Sequence, residues 1–180
     1  TREMFASYPD QAIIIRVSAD KEAAVSLKAR FNRREWRYLE QTAKWEKNGL
    51  VMRGECGGKG GSSFCAVLKA LPEGGTCRTL GEYLLVEGAD AITLLLAAST
   101  TFRQPDPELS CKQQLTELSR FTYPELRVRH IANYQELYGR VNLELPESPE
   151  LQALPTDERL DRLRKGGEDH GLIATYFQFG

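Results

Sequence analysis

The chain has 180 residues, with 24 basic and 25 acidic side chains and a formal net charge of −1. A chain of this length can bury one substantial hydrophobic core and can add a small helical unit to it. The balanced charge argues against nucleic-acid binding, which needs a basic surface, and the longest apolar run (91–98) is too short to span a bilayer.

The first hundred residues alternate between apolar and polar positions, with turn signals at the spacing expected for strands. We predict about seven strands joined by hairpin-length connections. They cover residues 11–18, 25–31, a segment around 36–38, 50–53, 64–71, 78–87 and 91–102. This pattern is typical of an antiparallel β-sandwich with two packed sheets.

After residues 104–107 the hydrophobic period becomes helical. A first helix is predicted around Leu115. A second begins at a Thr122 cap and runs to Val141, with one apolar stripe: Leu126, His130, Tyr134, Leu137, Tyr138 and Val141. Residues 141–145 alternate again and are predicted to be extended. The fold class is therefore α+β, a sandwich followed by a small helical region.

Two more helices are predicted near the end of the chain. Thr156 and Asp157 cap the third, which ends at Arg164 before two glycines. The fourth starts near Asp169 and presents four apolar residues, namely Leu172, Ile173, Tyr176 and Phe177. That unfinished apolar face, together with a start that lacks an initiator methionine, indicates a piece of a longer protein, which we expect to self-associate when it is isolated.

The cysteines and histidines do not predict a metal site. Cys56, Cys65, Cys77 and Cys111 form no C-x-x-C pair, and the two histidines lie far apart. Cys56 and Cys65 flank a glycine-rich turn, so a disulfide between them and free thiols both remain open, with free thiols favoured. The compartment is not indicated by the residues, and no cofactor is predicted.

No catalytic residue is predicted from the motifs. The glycine-rich loop around Lys59 lacks both the spacing and the hydroxyl of a phosphate-binding P-loop. His130 lies on an apolar helical stripe, which favours packing over catalysis. The carboxylates lie in turns, caps and polar faces. Three aromatic residues could stack on a sugar, although core packing is the more ordinary role for them: Trp36, Tyr38 and Trp45.

Five strings in the chain resemble glycoside hydrolase family 95, the family of α-L-fucosidases. They are F-A-S-Y-P-D-Q-A-I-I-I-R (5–16), V-E-G-A-D-A-I-T-L-L-L-A-A-S-T-T-F (86–102), R-H-I-A-N-Y-Q-E-L-Y-G-R-V (129–141), P-T-D-E-R-L (155–160) and Y-F-Q-F-G (176–180). Two departures are Asn133, where the family usually has aspartate, and the poorly matching segment 33–47.

The resemblance implies a partial β-super-sandwich (1–103), a helical linker (104–167) and the start of an (α/α)6 catalytic barrel (168–180). It implies that the parent enzyme hydrolyses terminal α-1,2-linked L-fucose with inversion, or α-L-galactosides in some relatives, and it favours secretion. The catalytic groups of the family lie beyond the matched strings. The expected role is therefore non-catalytic support of the protein's own barrel, with a fucosylated oligosaccharide as the substrate of the parent. The alternative is a free-standing carbohydrate-binding module.

Overall fold

The computed structural model describes residues 1–33, 41–57 and 60–179. Nine strands precede the helices in this part of the chain. They are β1 (Arg2–Ser7), β2 (Ala12–Ser18), β3 (Val25–Ala29), β4 (Gln41–Trp45), β5 (Gly49–Glu55), β6 (Ser63–Glu73), β7 (Thr76–Leu80), β8 (Tyr83–Ala89) and β9 (Ala91–Thr100).

The strands form two antiparallel sheets. One has six strands in the order β1-β2-β9-β6-β5-β4, and the other has three in the order β3-β8-β7. The central strand β9 pairs with both β2 and β6, so that Leu96 lies opposite Ile13 on one side and Leu68 on the other. The predicted α+β fold with an antiparallel sandwich is confirmed.

Both faces of the six-stranded sheet are covered, which explains why β9 reads as an almost continuous apolar run. One face packs against the three-stranded sheet through residues such as Leu68, Leu84 and Ile92. The opposite face, with Val67 and Leu95, packs against helical residues. Alternate side chains of a strand point to opposite faces, so a strand covered on both sides needs apolar residues at nearly every position.

Five helices follow the strands within the described residues: α1 (Pro107–Leu118), α2 (Tyr123–Tyr138), α3 (Pro149–Gln152), α4 (Thr156–Arg164) and α5 (His170–Phe179). Asp106 caps α1 by accepting a hydrogen bond from the Leu109 amide at 2.9 Å. Thr122 directly precedes α2, and its amide and its hydroxyl both donate to the Glu125 carboxylate at 2.7 Å.

The structure differs from the predicted elements at several places. The strand predicted over 78–87 is two strands, because Gly81, with φ of +57°, reverses the chain between β7 and β8. Strand β1 and the short helix α3 were not predicted. Residues 141–145 are irregular, α2 ends at Tyr138, and Pro155 instead of Thr156 occupies the N-cap of α4. The segment around Trp36 and Tyr38 lies outside the described residues.

The chain divides into two compact units, unit 1 (Thr1–Asn133) and unit 2 (Tyr134–Gly180). The sandwich, α1 and the buried part of α2 belong to unit 1, whereas α3, α4 and α5 belong to unit 2. The family boundaries predicted above, at residues 103 and 167, stay a prediction. Across the described ranges, no helix has both the length and the apolar character needed to cross a membrane.

Candidate functional site

Trp45 is the one sugar-stacking candidate that the described residues include, since Trp36 and Tyr38 fall outside them. It ends β4, is 9% exposed, and packs in the same apolar cluster as residues of α1. The Lys69 ammonium lies 4.9 Å from the centroid of its ring. A Cβ atom at Gly49 would come within 2.8 Å of the ring. The Trp45 ring therefore serves packing and offers little area to a sugar.

Asp10 is the centre of a buried polar joint in unit 1. Its carboxylate accepts a hydrogen bond from the Ser7 hydroxyl at 2.6 Å and from Arg129 Nε at 2.9 Å. Arg129 Nη2 lies 2.7 Å from the same carboxylate, whose side chain has no exposed area. Gln114 of α1 donates to the backbone oxygens of Asp10 and Gln11. The joint thus holds the β1–β2 turn against two helices.

His130 lies beside this joint and stacks on an aromatic ring. Its imidazole is 4.6 Å from the Phe5 ring, centroid to centroid, with an interplanar angle of 18°. His130 is partly buried, as the packing role predicted. Two of the strings that carry the family resemblance, 5–16 and 129–141, therefore meet here through Phe5–His130 and Asp10–Arg129.

Unit 2 contains a second buried ionic cluster, formed by Arg159, Asp169 and Glu147. Arg159 binds Asp169 in a bidentate manner, with Nε–Oδ2 at 2.8 Å and Nη2–Oδ1 at 2.7 Å. Its Nη2 also lies 3.0 Å from Glu147 Oε1. These hydrogen bonds lower the pKa of Asp169 to about 2 and raise that of Arg159. Asp169 also caps α5 by accepting from the Leu172 amide at 2.9 Å.

A glycine makes room for this cluster. A Cβ atom at Gly171 would lie 2.2 Å from Glu147 Oε1, so any side chain there would displace the carboxylate that contacts Arg159. Gln152 of α3 donates to the other oxygen of Glu147 at 2.6 Å. The segment before α3 and the helices α4 and α5 are therefore joined by one ionic cluster.

Within the described parts of the chain, each carboxylate with a shifted pKa has a lowered pKa. The pKa of Glu108 falls to about 2 because Arg53 and Lys112 bind it. Arg16 lowers the pKa of Glu73, and the Thr122 amide and hydroxyl lower that of Glu125. Such groups stay ionised at neutral pH. A general acid in a glycosidase needs the opposite, a raised pKa that keeps its proton.

The cysteines are free thiols, and most are buried. Burial raises the pKa of Cys65 to about 12 and that of Cys111 to about 11, which makes both poor nucleophiles and poor metal ligands at neutral pH. Within the described ranges, no group of three or more His, Cys, Asp or Glu side chains is placed to hold a metal ion.

Neither the polar joint around Asp10 nor the ionic cluster around Arg159 was predicted from the sequence. Asp10 and Arg129 are separated by 119 positions, so no periodicity or spacing rule connects them. Arg159 and Asp169 are only 10 positions apart, yet they lie on either side of a helix end and two glycines. Arg159 is the buried residue of α4, and its burial is known only from the structure.

Comparison with known proteins identifies the family. Residues 1–105 match the family described as "Glycosyl hydrolase family 65, N-terminal domain", and residues 122–180 match "Glycosyl hydrolase family 95 catalytic domain". The chain is 33% identical over 215 residues to alpha-L-fucosidase 2 of Arabidopsis thaliana, covering 100% of this chain and 25% of that relative. The chain thus spans about a quarter of the length of this curated relative. The chain belongs to the glycoside hydrolases, with a domain of the family 65 N-terminal type followed by a segment that matches the family 95 catalytic domain.

Proposed function

We propose that the chain is a non-catalytic, supporting portion of a glycoside hydrolase that removes terminal α-1,2-linked L-fucose with inversion of configuration. The two family matches and the similarity to alpha-L-fucosidase 2 support this role. In this proposal the partner of the chain is the protein's own catalytic barrel, and the substrate of the whole enzyme is a fucosylated oligosaccharide. Some enzymes of this kind act on α-L-galactosides, which is the second substrate to test.

The observation that carries the proposal is that the carboxylates with shifted pKa values are held in the ionised form. Inverting hydrolysis needs one carboxylic acid with a raised pKa and a group that activates water, about 6.5–9.5 Å away from it. The carboxylates with shifted pKa values here are instead bound by cations or backbone amides, as in Asp169–Arg159 and Glu108–Arg53. Neutralising Asp169 or Glu108 would cost these bonds, so both groups are suited to holding helices in place and unsuited to donating protons.

The test compares the 180-residue chain with the longer protein that contains it, each incubated with 2′-fucosyllactose. We expect the longer protein to release L-fucose, which is first detected by NMR as the β-anomer, and the chain by itself to release none. A 3-fucosyllactose control separates the α-1,2 linkage from the α-1,3 linkage. Release of fucose by the chain alone would show that it contains catalytic groups and would overturn the proposal.

The alternative of a carbohydrate-binding module has its own measurement. Titration of the chain with fucosylated glycans in a calorimeter should show no binding if the supporting role is right. Binding in the micromolar-to-millimolar range that is lost on Trp36→Ala would favour the binding module instead.

A further inference from the structure

The outer face of the three-stranded sheet is basic. In the register of this sheet, Lys28 of β3 and Arg78 of β7 both lie opposite Leu85 of β8, so the three residues form one row across the sheet. The neighbours of Leu85 in β8, Leu84 and Val86, are buried in the core between the two sheets. Because successive side chains of a strand point to opposite faces, the row that contains Leu85 faces outward.

A tyrosine holds two cations on this face. The Lys28 ammonium lies 3.7 Å from the centroid of the Tyr83 ring, and the guanidinium carbon of Arg30 lies 5.6 Å from the same centroid. Arg30 Nη1 also donates a hydrogen bond to the Tyr83 hydroxyl at 3.1 Å. Among the described residues, no carboxylate forms an ion pair with either cation. The tyrosine ring attracts the cations without cancelling their charge, so both remain able to bind an anion.

The third cation of this face is only weakly paired. Arg78 Nη2 lies 3.9 Å from Glu87 Oε2, and both side chains are more than half exposed. Such a surface pair contributes little, because water and salt screen it. Glu82, in the turn before β8, is exposed, and within the described ranges it pairs with none of these cations. The outer face therefore carries excess positive charge, although the formal net charge of the whole chain is −1.

The spacing of the cations suits an extended ligand. Lys28 and Arg78 lie on the two strands that flank β8, so their backbones are about 10 Å apart, twice the spacing of neighbouring strands. Their side chains also diverge, since Lys28 lies over Tyr83 whereas Arg78 approaches Glu87. A single small anion would contact one group of cations only. A chain that carries acidic groups at intervals can contact both.

Apolar surface lies between and beside the cations. Leu85 is partly exposed in the centre of the face, and Leu80, which pairs with Tyr83, is 59% exposed. The C–H face of a sugar ring can pack on such side chains while the acidic groups of the same chain meet the cations. The face therefore combines both kinds of contact that an acidic sugar polymer requires.

We propose that the outer face of the three-stranded sheet binds a carboxylated polysaccharide. Its carboxylates pair with Lys28, Arg30 and Arg78, and its rings lie along Leu80 and Leu85. The charge of the face calls for an anion and the spacing calls for a polymer. Membership of the glycoside hydrolases favours a carbohydrate polymer. A nucleic acid suits this face less well, because neutralising a phosphate backbone needs a denser basic surface without a carboxylate in it.

The experiment is affinity electrophoresis of the longer protein that contains the chain, in gels with and without polygalacturonate. We expect polygalacturonate to retard the protein at low ionic strength, and we expect the retardation to weaken as salt is added, because exposed ion pairs are screened. The fully methyl-esterified polymer has the same backbone without the charges and should not retard the protein. Dextran sulfate and single-stranded RNA are run as the competing anions.

A matched pair of double variants localises the binding. Lys28→Gln combined with Arg30→Gln should raise the dissociation constant for polygalacturonate about fivefold to tenfold, as expected for two exposed ion pairs. Arg103→Gln combined with Arg120→Gln also removes two exposed cations of unit 1, but these follow β9 and α1 and lie away from the basic face. This control should bind as the wild type does.

Glu87→Gln supplies a test that misfolding cannot imitate. The substitution removes the carboxylate from the face and frees Arg78, so the variant should bind polygalacturonate more tightly than the wild type. A variant that had lost its fold would bind less tightly or aggregate. Unchanged or weaker binding by folded Glu87→Gln would contradict the proposed face.

Four further results would overturn the inference. Equal retardation by the methyl ester would show that charge is not recognised, and equal losses in both double variants would show that any surface cation suffices. Binding of dextran sulfate without polygalacturonate would exclude carboxylates as the ligand, and tighter binding of RNA would assign the face to a nucleic acid. Binding does not require hydrolysis, so a longer protein that binds the polymer through Lys28 and Arg30 but releases no fucose would refute the proposed function alone.

Discussion

Arg159 and Asp169 form an ion pair that is almost excluded from water, with side chains 9% and 2% exposed. A buried charge is tolerated when its partner is present, and it becomes strongly unfavourable when that partner is removed. Glu147 adds a second carboxylate to the same guanidinium. The two carboxylates and the single arginine therefore act together, and the arginine is the member whose loss leaves two acids facing each other.

Substitution of Arg159 by methionine should destabilise unit 2 through Asp169. In the wild-type chain the folded pKa of Asp169 is about 2, below the unfolded value of about 3.9. The ion pair therefore contributes its full stability above about pH 4, and this contribution is lost as the pH falls toward 2. In Arg159→Met this contribution of the ion pair to stability should be missing at every pH. Amide hydrogen exchange in α4 and α5 measures the change.

The exposed Arg164, at the end of the same helix, is the control. Arg164→Met should leave the protection of the α4 and α5 amides, measured relative to their intrinsic exchange rates, as in the wild type at neutral pH, and it should preserve the loss of this protection below pH 4. Equal effects of the two substitutions would show that general helix charge, and not the ion pair, stabilises unit 2.

At the scale of elements, the turn between β6 and β7 carries the chain from one sheet to the other. Gly75 has a φ of +63°, and a Cβ atom there would lie 2.4 Å from the Glu87 carbonyl oxygen and 2.6 Å from the Ala89 amide nitrogen. These are backbone atoms of β8, which cannot move without disturbing the three-stranded sheet. The crossing between the sheets therefore requires glycine at this position.

Gly75→Ala should destabilise unit 1 by more than the roughly 1–2 kcal/mol that left-handed backbone strain costs an ordinary residue. Gly81→Ala is the matched control, because Gly81 also has a positive φ, of +57°, but a Cβ atom there meets nothing within 4 Å. Urea denaturation should therefore rank wild type, Gly81→Ala and Gly75→Ala in falling stability. Equal losses for both variants would mean that the close approach to β8 relaxes freely.

At the scale of the whole molecule, the exposed residues of α5 make self-association of the isolated chain the expected behaviour. Ile173, Tyr176 and Phe177 present a cluster that water solvates poorly. We expect sedimentation velocity to show species that grow with concentration, together with enhanced fluorescence of a hydrophobic dye.

Tyr176→Lys should reduce this association, whereas Tyr8→Lys, at a tyrosine of similar exposure in unit 1, should not. A monodisperse monomer at high concentration, without dye binding, would contradict the expectation.

Much of the architecture could be predicted, but unevenly. Apolar runs bounded by turn residues predicted β2, β6 and β9, and capping residues and glycines predicted that α4 ends at Arg164. The strand predicted over 78–87 was wrong because Gly81, with its positive φ, reverses the chain between β7 and β8. The stripe predicted along α2 is buried at Leu126 but exposed at Tyr134 and Leu137. Periodicity shows which side chains share a face and does not show whether anything covers that face.

The sequence by itself determined the fold class, most of the strands and helices, and, through its similarity to known families, membership of the glycoside hydrolases. The fold class and these elements follow from residues close together in the chain, since propensity, periodicity and turn chemistry are local. Only the tertiary structure decided that Asp10 meets Arg129, that Arg159 holds Asp169 and Glu147, and that Trp45 faces the core. Such contacts join residues through burial and the removal of water, which depend on the packing of the whole chain.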